Sequence, residues 1–173
     1  MDKSLTGVER TFQTDEIIVS KTDTTGRIVY ANDVFIDISG YTTDEVLGQP
    51  HSMIRHPDMP RAVFKLLWDR IAQGHEVFAY VVNRCKNGDH YWVLAHVTPN
   101  FDDACKIVGY HSCRRTPKRQ AVETIRGLYA QLRQVENQNE RKAGLEKSTA
   151  MLNEAVRSLG FSSYDRFVLS LGR

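Results

Sequence analysis

Apolar positions along the chain change their spacing near Thr116-Pro117. Upstream they come in short β-branched and aromatic runs separated by turn residues, the pattern of strands and short helices. Glu16–Val19 is predicted as a strand, Asp23-Thr-Thr-Gly26 as a turn, and Arg27–Tyr30 as the strand that returns. Asn32 or Asp33 then caps a short helix that Gly40 ends, and Thr43-Asp44-Glu45 starts another turn of helix stopped by Gly48 and Pro50. His51–Pro60 is expected to be irregular or short-helical. Pro60 suits a helix start, and Phe64, Leu67, Trp68 and Ile71 recur at helical spacing up to Gly74. Three longer strands follow at Val77–Arg84, His90–Thr98 and Ile107–Arg114, the first two joined by Lys86-Asn87-Gly88-Asp89. Asn-Gly there predicts a type I′ hairpin. This order implies an α+β fold with an antiparallel sheet and helices on one face.

Downstream of Pro117 the stretch is rich in Gln, Glu, Arg, Lys, Ala and Leu and has no proline. Ile125, Leu128, Leu132 and Val135 form one seam. Leu145, Ser148, Leu152, Ala155 and Leu159 form another, out of register with the first by one residue. A bend or break is therefore predicted between Asn137 and Gly144. Gly160 reads as a helix end, and Ser162 with Asp165 as a capping box for a last short helix with the stripe Phe161, Tyr164, Phe167, Val168 and Leu171. Such a stripe needs a partner, either the first domain or a second chain. The predicted division is an N-terminal cap over 1–14, a first domain over 15–116 and a helical extension over 117–173.

Composition agrees with that division. At 173 residues the chain holds one domain plus an appendage, or one large domain. Its 23 basic and 21 acidic residues nearly balance, which argues against a nucleic-acid binder. No apolar run suffices for a membrane span, and the charged N-terminus does not read as a signal peptide, so a cytoplasmic chain is expected. Cys85, Cys105 and Cys113 show no metal-ligand or disulfide spacing, and none of the six histidines has a metal-motif partner, so no metal site is predicted.

The densest polar segment is Arg55-His56-Pro57-Asp58-Met59-Pro60. His56 oriented by Asp58 would be a catalytic base, but no nucleophile elbow or phosphate loop accompanies it, so catalysis is not expected. Arg55, with its planar fork, suits an anion such as a phosphate.

The stretch from about Asp15 to Arg115 resembles a PAS domain, and closely the PAS domain of bacterial aerotaxis receptors. The resemblance rests on YANDVFIDISGYTTDEVLGQPHSMIRHPDMP at Tyr30–Pro60, FKLLW at Phe64–Trp68, NRCKNGDHYWVLAHVTP at Asn83–Pro99 and GYHSCR at Gly109–Arg114. It implies a five-stranded PAS sheet and a cleft that binds FAD non-covalently. It further implies that Asn32, Arg55, His56, Asp58, Phe64, Trp68, Asn83 and Trp92 serve the cofactor. It implies aerotaxis or energy-taxis signalling through the helical arm, to a second copy of the chain or a chemotaxis signalling protein. Two features depart from the pattern: Val77 stands where the family usually has Trp, and these 173 residues carry neither the family's membrane anchor nor its long signalling coiled coil, as expected of a soluble stand-alone relative or of the sensory fragment of a longer receptor. Gly48–Arg61 holds no cysteine, so cysteinyl-flavin photochemistry is not expected. A haem PAS using a histidine, and a cofactor-free dimerisation module, are the rival readings.

Overall fold

The computed structural model describes residues 4–172. Five strands form one antiparallel sheet: β1 (Ile18–Thr22), β2 (Ile28–Ala31), β3 (Val77–Arg84), β4 (His90–Phe101) and β5 (Ile107–Arg115), in the spatial order β2-β1-β5-β4-β3. Helices α1 (Asp33–Ser39), α2 (Thr43–Val46) and α3 (Arg61–Ala72) connect β2 to β3, with a 3₁₀ turn at His51–Ile54. The C-terminal arm comprises α4 (Arg119–Asn137), α5 (Arg141–Ser158) and α6 (Tyr164–Ser170). The α+β class and the strand count match the sequence reading. β1 begins two residues later than expected and β4 runs on to Phe101.

Strand alternation assigns the two faces of the sheet. Ser20, Val81, Asn83, Ala95, Val97, Ser112 and Arg114 share the face covered by the helices of the first domain. Tyr80, Val82 and Trp92 share the other face, which the arm covers: Tyr129 of α4 lies 6.2 Å from the Trp92 ring. The extension is thus not a separate rod. One continuous apolar cluster runs from Phe35 and Ile54 through the sheet to Ile125, Leu132, Leu152 and Val168. The stripe that needed a partner finds it within the chain.

The arm, together with Met59 just ahead of α3, also closes the sheet's exposed edge at β3. Phe78 N–H donates to Asp165 Oδ1 at 2.7 Å, Tyr80 C=O accepts from Tyr129 Oη at 2.7 Å, and Val82 N–H reaches Met59 Sδ at 3.3 Å. Alternate backbone groups of an edge strand point outward, so these partners satisfy what would otherwise be a template for aggregation.

Several local expectations are corrected. The buried line of α4 is Val122, Ile125, Tyr129, Leu132 and Glu136, and Leu128 and Val135 sit only at its margin. In α5 it is Gly144, Ser148, Leu152 and Val156, while Leu159 is 58% exposed. Small residues at 144 and 148 let α5 approach α4 closely: a Cβ on Gly144 would lie 2.8 Å from the Glu136 carbonyl oxygen. Ser163, not Ser162, caps α6 by accepting from Arg166 N–H, and Asp165 is spent on β3 and Arg70. The β3–β4 turn is not type I′. Asn87 keeps a negative φ, and Gly88 alone is left-handed, at φ 98°. The reason is the N-terminal segment, whose Ser4 carbonyl lies where a Gly88 Cβ would be and whose Thr6 N–H donates to Gly88 C=O.

Candidate functional site

The main cavity, the most enclosed of the described hollows though not the largest at about 350 Å³, lies between the inner face of the sheet and α3. That volume lies within the range of small-molecule sites. Pro60 starts α3 without a side-chain cap of its own, and the helix then presents Phe64, Leu67, Trp68 and Ile71 to the cavity. Trp68 meets Tyr110 edge-on at 5.6 Å and sits over the β1–β2 turn. Gly26 permits this: its φ is 82°, and a Cβ there would lie 2.9 Å from the indole. Val77, in the position where the resemblance led one to expect Trp, is fully buried with Ile71, Val97 and Tyr110.

Polar groups interrupt this apolar lining. Asn83 Nδ2, Ser112 Oγ, Thr22 Oγ1 and Arg114 Nη1 are buried without a hydrogen-bond partner, and all four residues line the cavity. Buried polar atoms are rarely left unpaired, so four of them around one cavity mark where a polar ligand is expected. Arg114 is the most demanding. It is 3% exposed and has no carboxylate partner among the described residues; Nη2 donates to Ser20 Oγ at 2.8 Å and to His51 Nε2 at 2.6 Å. Burial and the Arg114 cation hold His51 down to about 3, so the ring is neutral and accepts from Arg114. An unpaired buried cation costs about several kcal/mol unless something compensates it. His51 is the one histidine of this lining among the described residues, and its Nε2 is already engaged. That leaves it poorly disposed to bind a haem iron.

The eight residues predicted to serve the cofactor divide. Arg55, Phe64, Trp68 and Asn83 line the main cavity, with Arg55 bridged to Asn83 along the β3 edge and its guanidinium 4.2 Å from the Phe64 ring centre. His56, Asp58 and Trp92 line a different hollow, together with His90, Arg119 and Arg126. Asn32 lines neither. It caps α1 by accepting from Phe35 N–H, accepts also from Val19 N–H, and donates to Ile17 C=O, which ties it to the backbone.

His56 and Asp58 meet chiefly through the backbone, with Asp58 Oδ2 3.8 Å from His56 Nδ1. His56 Nδ1 accepts from the Asp58 backbone N–H at 3.0 Å, and the Asp58 carboxylate pairs with Arg133. Burial pushes the His56 pKa down.

Sequence reasoning missed Glu136. Only 5% exposed, it accepts from Arg61 N–H at 2.9 Å, Ala62 N–H at 3.0 Å and Ser148 Oγ at 2.9 Å. A carboxylate of α4 therefore caps α3, the helix that carries Phe64 and Trp68, and ties the arm to the cavity wall.

A five-stranded antiparallel sheet with a ligand-sized cleft under short helices is the architecture of the PAS/LOV fold. Residues 28–113 match the PAS fold family. The chain is 43% identical over 118 residues to the aerotaxis receptor of Escherichia coli, covering 68% of this chain and 23% of the receptor. It is 26% identical over 133 residues to phototropin-2 of Oryza sativa, covering 76% of this chain and 14% of that protein. Among solved structures, the light-state LOV domain of the blue-light photoreceptor Aureochrome1 aligns with a TM-score of 0.55 at 24% identity, covering 68% of this chain and 91% of that one. Residues 28–113 thus belong to the PAS fold family, and this domain is similar to that of the bacterial aerotaxis receptor. It spans less than a quarter of the length of these curated relatives.

Proposed function

We propose that the main cavity binds a flavin, FAD, and that the chain is a cytoplasmic sensor of redox or oxygen status in aerotaxis or energy taxis. The carrying observation is the set of unpartnered polar atoms on an apolar wall, with Arg114 as a buried cation lacking an acid among the described residues. A flat aromatic ring system with a polar edge matches that wall. Asn83 and Ser112 offer hydrogen bonds to ring carbonyls and nitrogens, Phe64 and Trp68 offer apolar faces, and Arg55 stands at the cavity's margin.

FAD supplies a reversible, proton-coupled redox couple when bound. Arg114 favours added negative charge in the cavity and so eases reduction. Asn83 carries both a donor and an acceptor on one amide, so rotation lets it follow a nitrogen that gains a proton. The backbone bridge from Asn83 to Arg55, and the Glu136 cap on α3, lead from that amide to the arm. Repacking of α4 and α5 is the output. The arm's outer surface then meets a second copy of the chain or a chemotaxis signalling protein.

The test is the absorbance of the purified chain, and of the stripped chain after FAD is added back. Bound flavin bands that Asn83→Ala and Arg114→Met weaken are expected. A folded protein that stays colourless with excess FAD refutes the reading, and a Soret band replaces it with haem.

A further inference from the structure

A separate cleft of about 480 Å³ opens where α3 meets α5, lined by Arg55, Arg61, Arg141, Lys142 and Leu145. Arg55 lines this cleft and the main cavity alike, so the two spaces share a wall. Four cations face one another here. Among the described residues the acid that meets any of them is Glu136, and its oxygens are taken by Arg61, Ala62 and Ser148. Arg61 is itself committed, donating from Nη1 to Arg141 C=O and from Nη2 to Glu136 C=O. Arg55 has one long bond, Nη2 to Met59 C=O at 3.4 Å. The side chains of Arg141 and Lys142 have no acidic partner among the described residues.

This arrangement is unfavourable as it stands. Arg141 and Lys142 open α5, where basic side chains oppose the helix dipole, and no acid lies in that first turn. The like charges of Arg61 and Arg141 also push the Arg55 pKa down, after burial. An anion in the cleft relieves all of these at once. The main cavity beside it carries unpartnered buried polar atoms on Asn83 and Arg114, and Arg55 stands on the wall that the two spaces share.

We propose that this cleft receives the diphosphate of the dinucleotide whose ring system occupies the main cavity, making Arg141 and Lys142 binding residues contributed by the C-terminal arm. The inference rests on the flavin reading and deepens it. It makes FAD preferred over riboflavin, because riboflavin ends before the cleft. It also makes docking of the α5 start depend on the ligand's tail rather than on its ring.

Three flavins separate these effects. The full chain, stripped of ligand, is titrated with riboflavin, FMN and FAD, following flavin fluorescence. FAD is expected to bind at least about tenfold tighter than riboflavin. Replacing both cations, Arg141→Ala with Lys142→Ala, is expected to cut FAD affinity about tenfold while riboflavin affinity stays within about twofold. Arg141→Glu with Lys142→Gln keeps helix-forming residues and relieves the dipole, and should weaken FAD further without lowering the melting temperature. Salt is expected to shrink the FAD-to-riboflavin ratio in the wild type only. Inorganic pyrophosphate should compete with FAD in the wild type. A ratio unchanged by either double substitution, or an equal loss for both flavins, overturns the inference alone. So does pyrophosphate that binds equally well under saturating FAD, because the cleft then serves another anion. A folded wild type that binds none of the three overturns the flavin reading and this inference with it.

Discussion

Removing the Glu136 carboxylate should loosen the cavity from a distance. Glu136→Ala strips α3 of its cap and leaves Arg61 N–H and Ala62 N–H buried without an acceptor. Ser148 Oγ has the Leu145 carbonyl at 3.1 Å to fall back on, so its loss is smaller. Each orphaned N–H costs about 1–3 kcal/mol. The freed Arg61 guanidinium adds a little, because it is partly exposed and also holds Arg141 C=O at 2.9 Å. The sum is about 2–6 kcal/mol, a range that brackets the cost of breaking a buried pair from one side, about 3–5 kcal/mol. For a domain of this size that lowers the melting temperature by on the order of 10 °C. Glu136→Gln keeps one acceptor but turns an amide N–H toward a donor, and should fall between. The assay is thermal and urea unfolding, with hydrogen exchange at the start of α3. A melting temperature for Glu136→Ala within about 2 °C of the wild type would refute the capping argument.

Other outcomes follow from the same contacts. Gly144→Ala forces a methyl to within 2.8 Å of the Glu136 carbonyl and should destabilise by about 1–3 kcal/mol, read in urea unfolding. Gly26→Ala meets both a positive φ and the indole of Trp68, so it should shift the tryptophan emission spectrum and weaken flavin binding. His51 is neutral when folded, with a pKa of about 3 against 6.5 as its ordinary value. The unfolded chain therefore binds the extra proton, and this contribution to stability is lost as pH falls from about 6.5 toward 3. The slope is at most about 1.4 kcal/mol per pH unit, and His51→Gln should flatten it in urea unfolding at a series of pH values. Burial pushes the Cys85 thiol up to about 11, and its Sγ donates to Ile38 C=O; alkylation near neutral pH should mark exposed Cys105 and spare Cys85 until the chain unfolds.

Much of the fold was legible because it is written locally. The caps at Asn32 and Gly40, the start of α3 at Pro60 and the alternation along β3 and β4 act within a few residues of themselves. Half of the candidate site was legible the same way. Phe64 and Trp68 are four apart on one helix, and Asn83 alternates inward with Val81. Arg114 was open to the same reasoning. It alternates with Tyr110 and Ser112 on β5, and a cation on the inward face of a strand is a signal in itself. Trp92 and Asn83 sit on opposite faces by alternation, so both cannot wall the same cavity. Glu136 was not legible. Its partners lie 74 and 75 residues upstream, and a charged residue in a Gln- and Glu-rich helix looks like solvated surface until the α4–α5 hairpin folds back on α3. The type I′ turn failed for a similar reason, because the N-terminal segment packs on Gly88 and selects another geometry.

The most direct measurement is a structure of the full chain saturated with FAD. The expected result places the ring system between α3 and the inner face of the sheet, its polar edge at Asn83, Ser112 and Arg114. Density for the flavin in the hollow of His56 and Trp92, or an unchanged main cavity in a chain that has bound FAD, would contradict it.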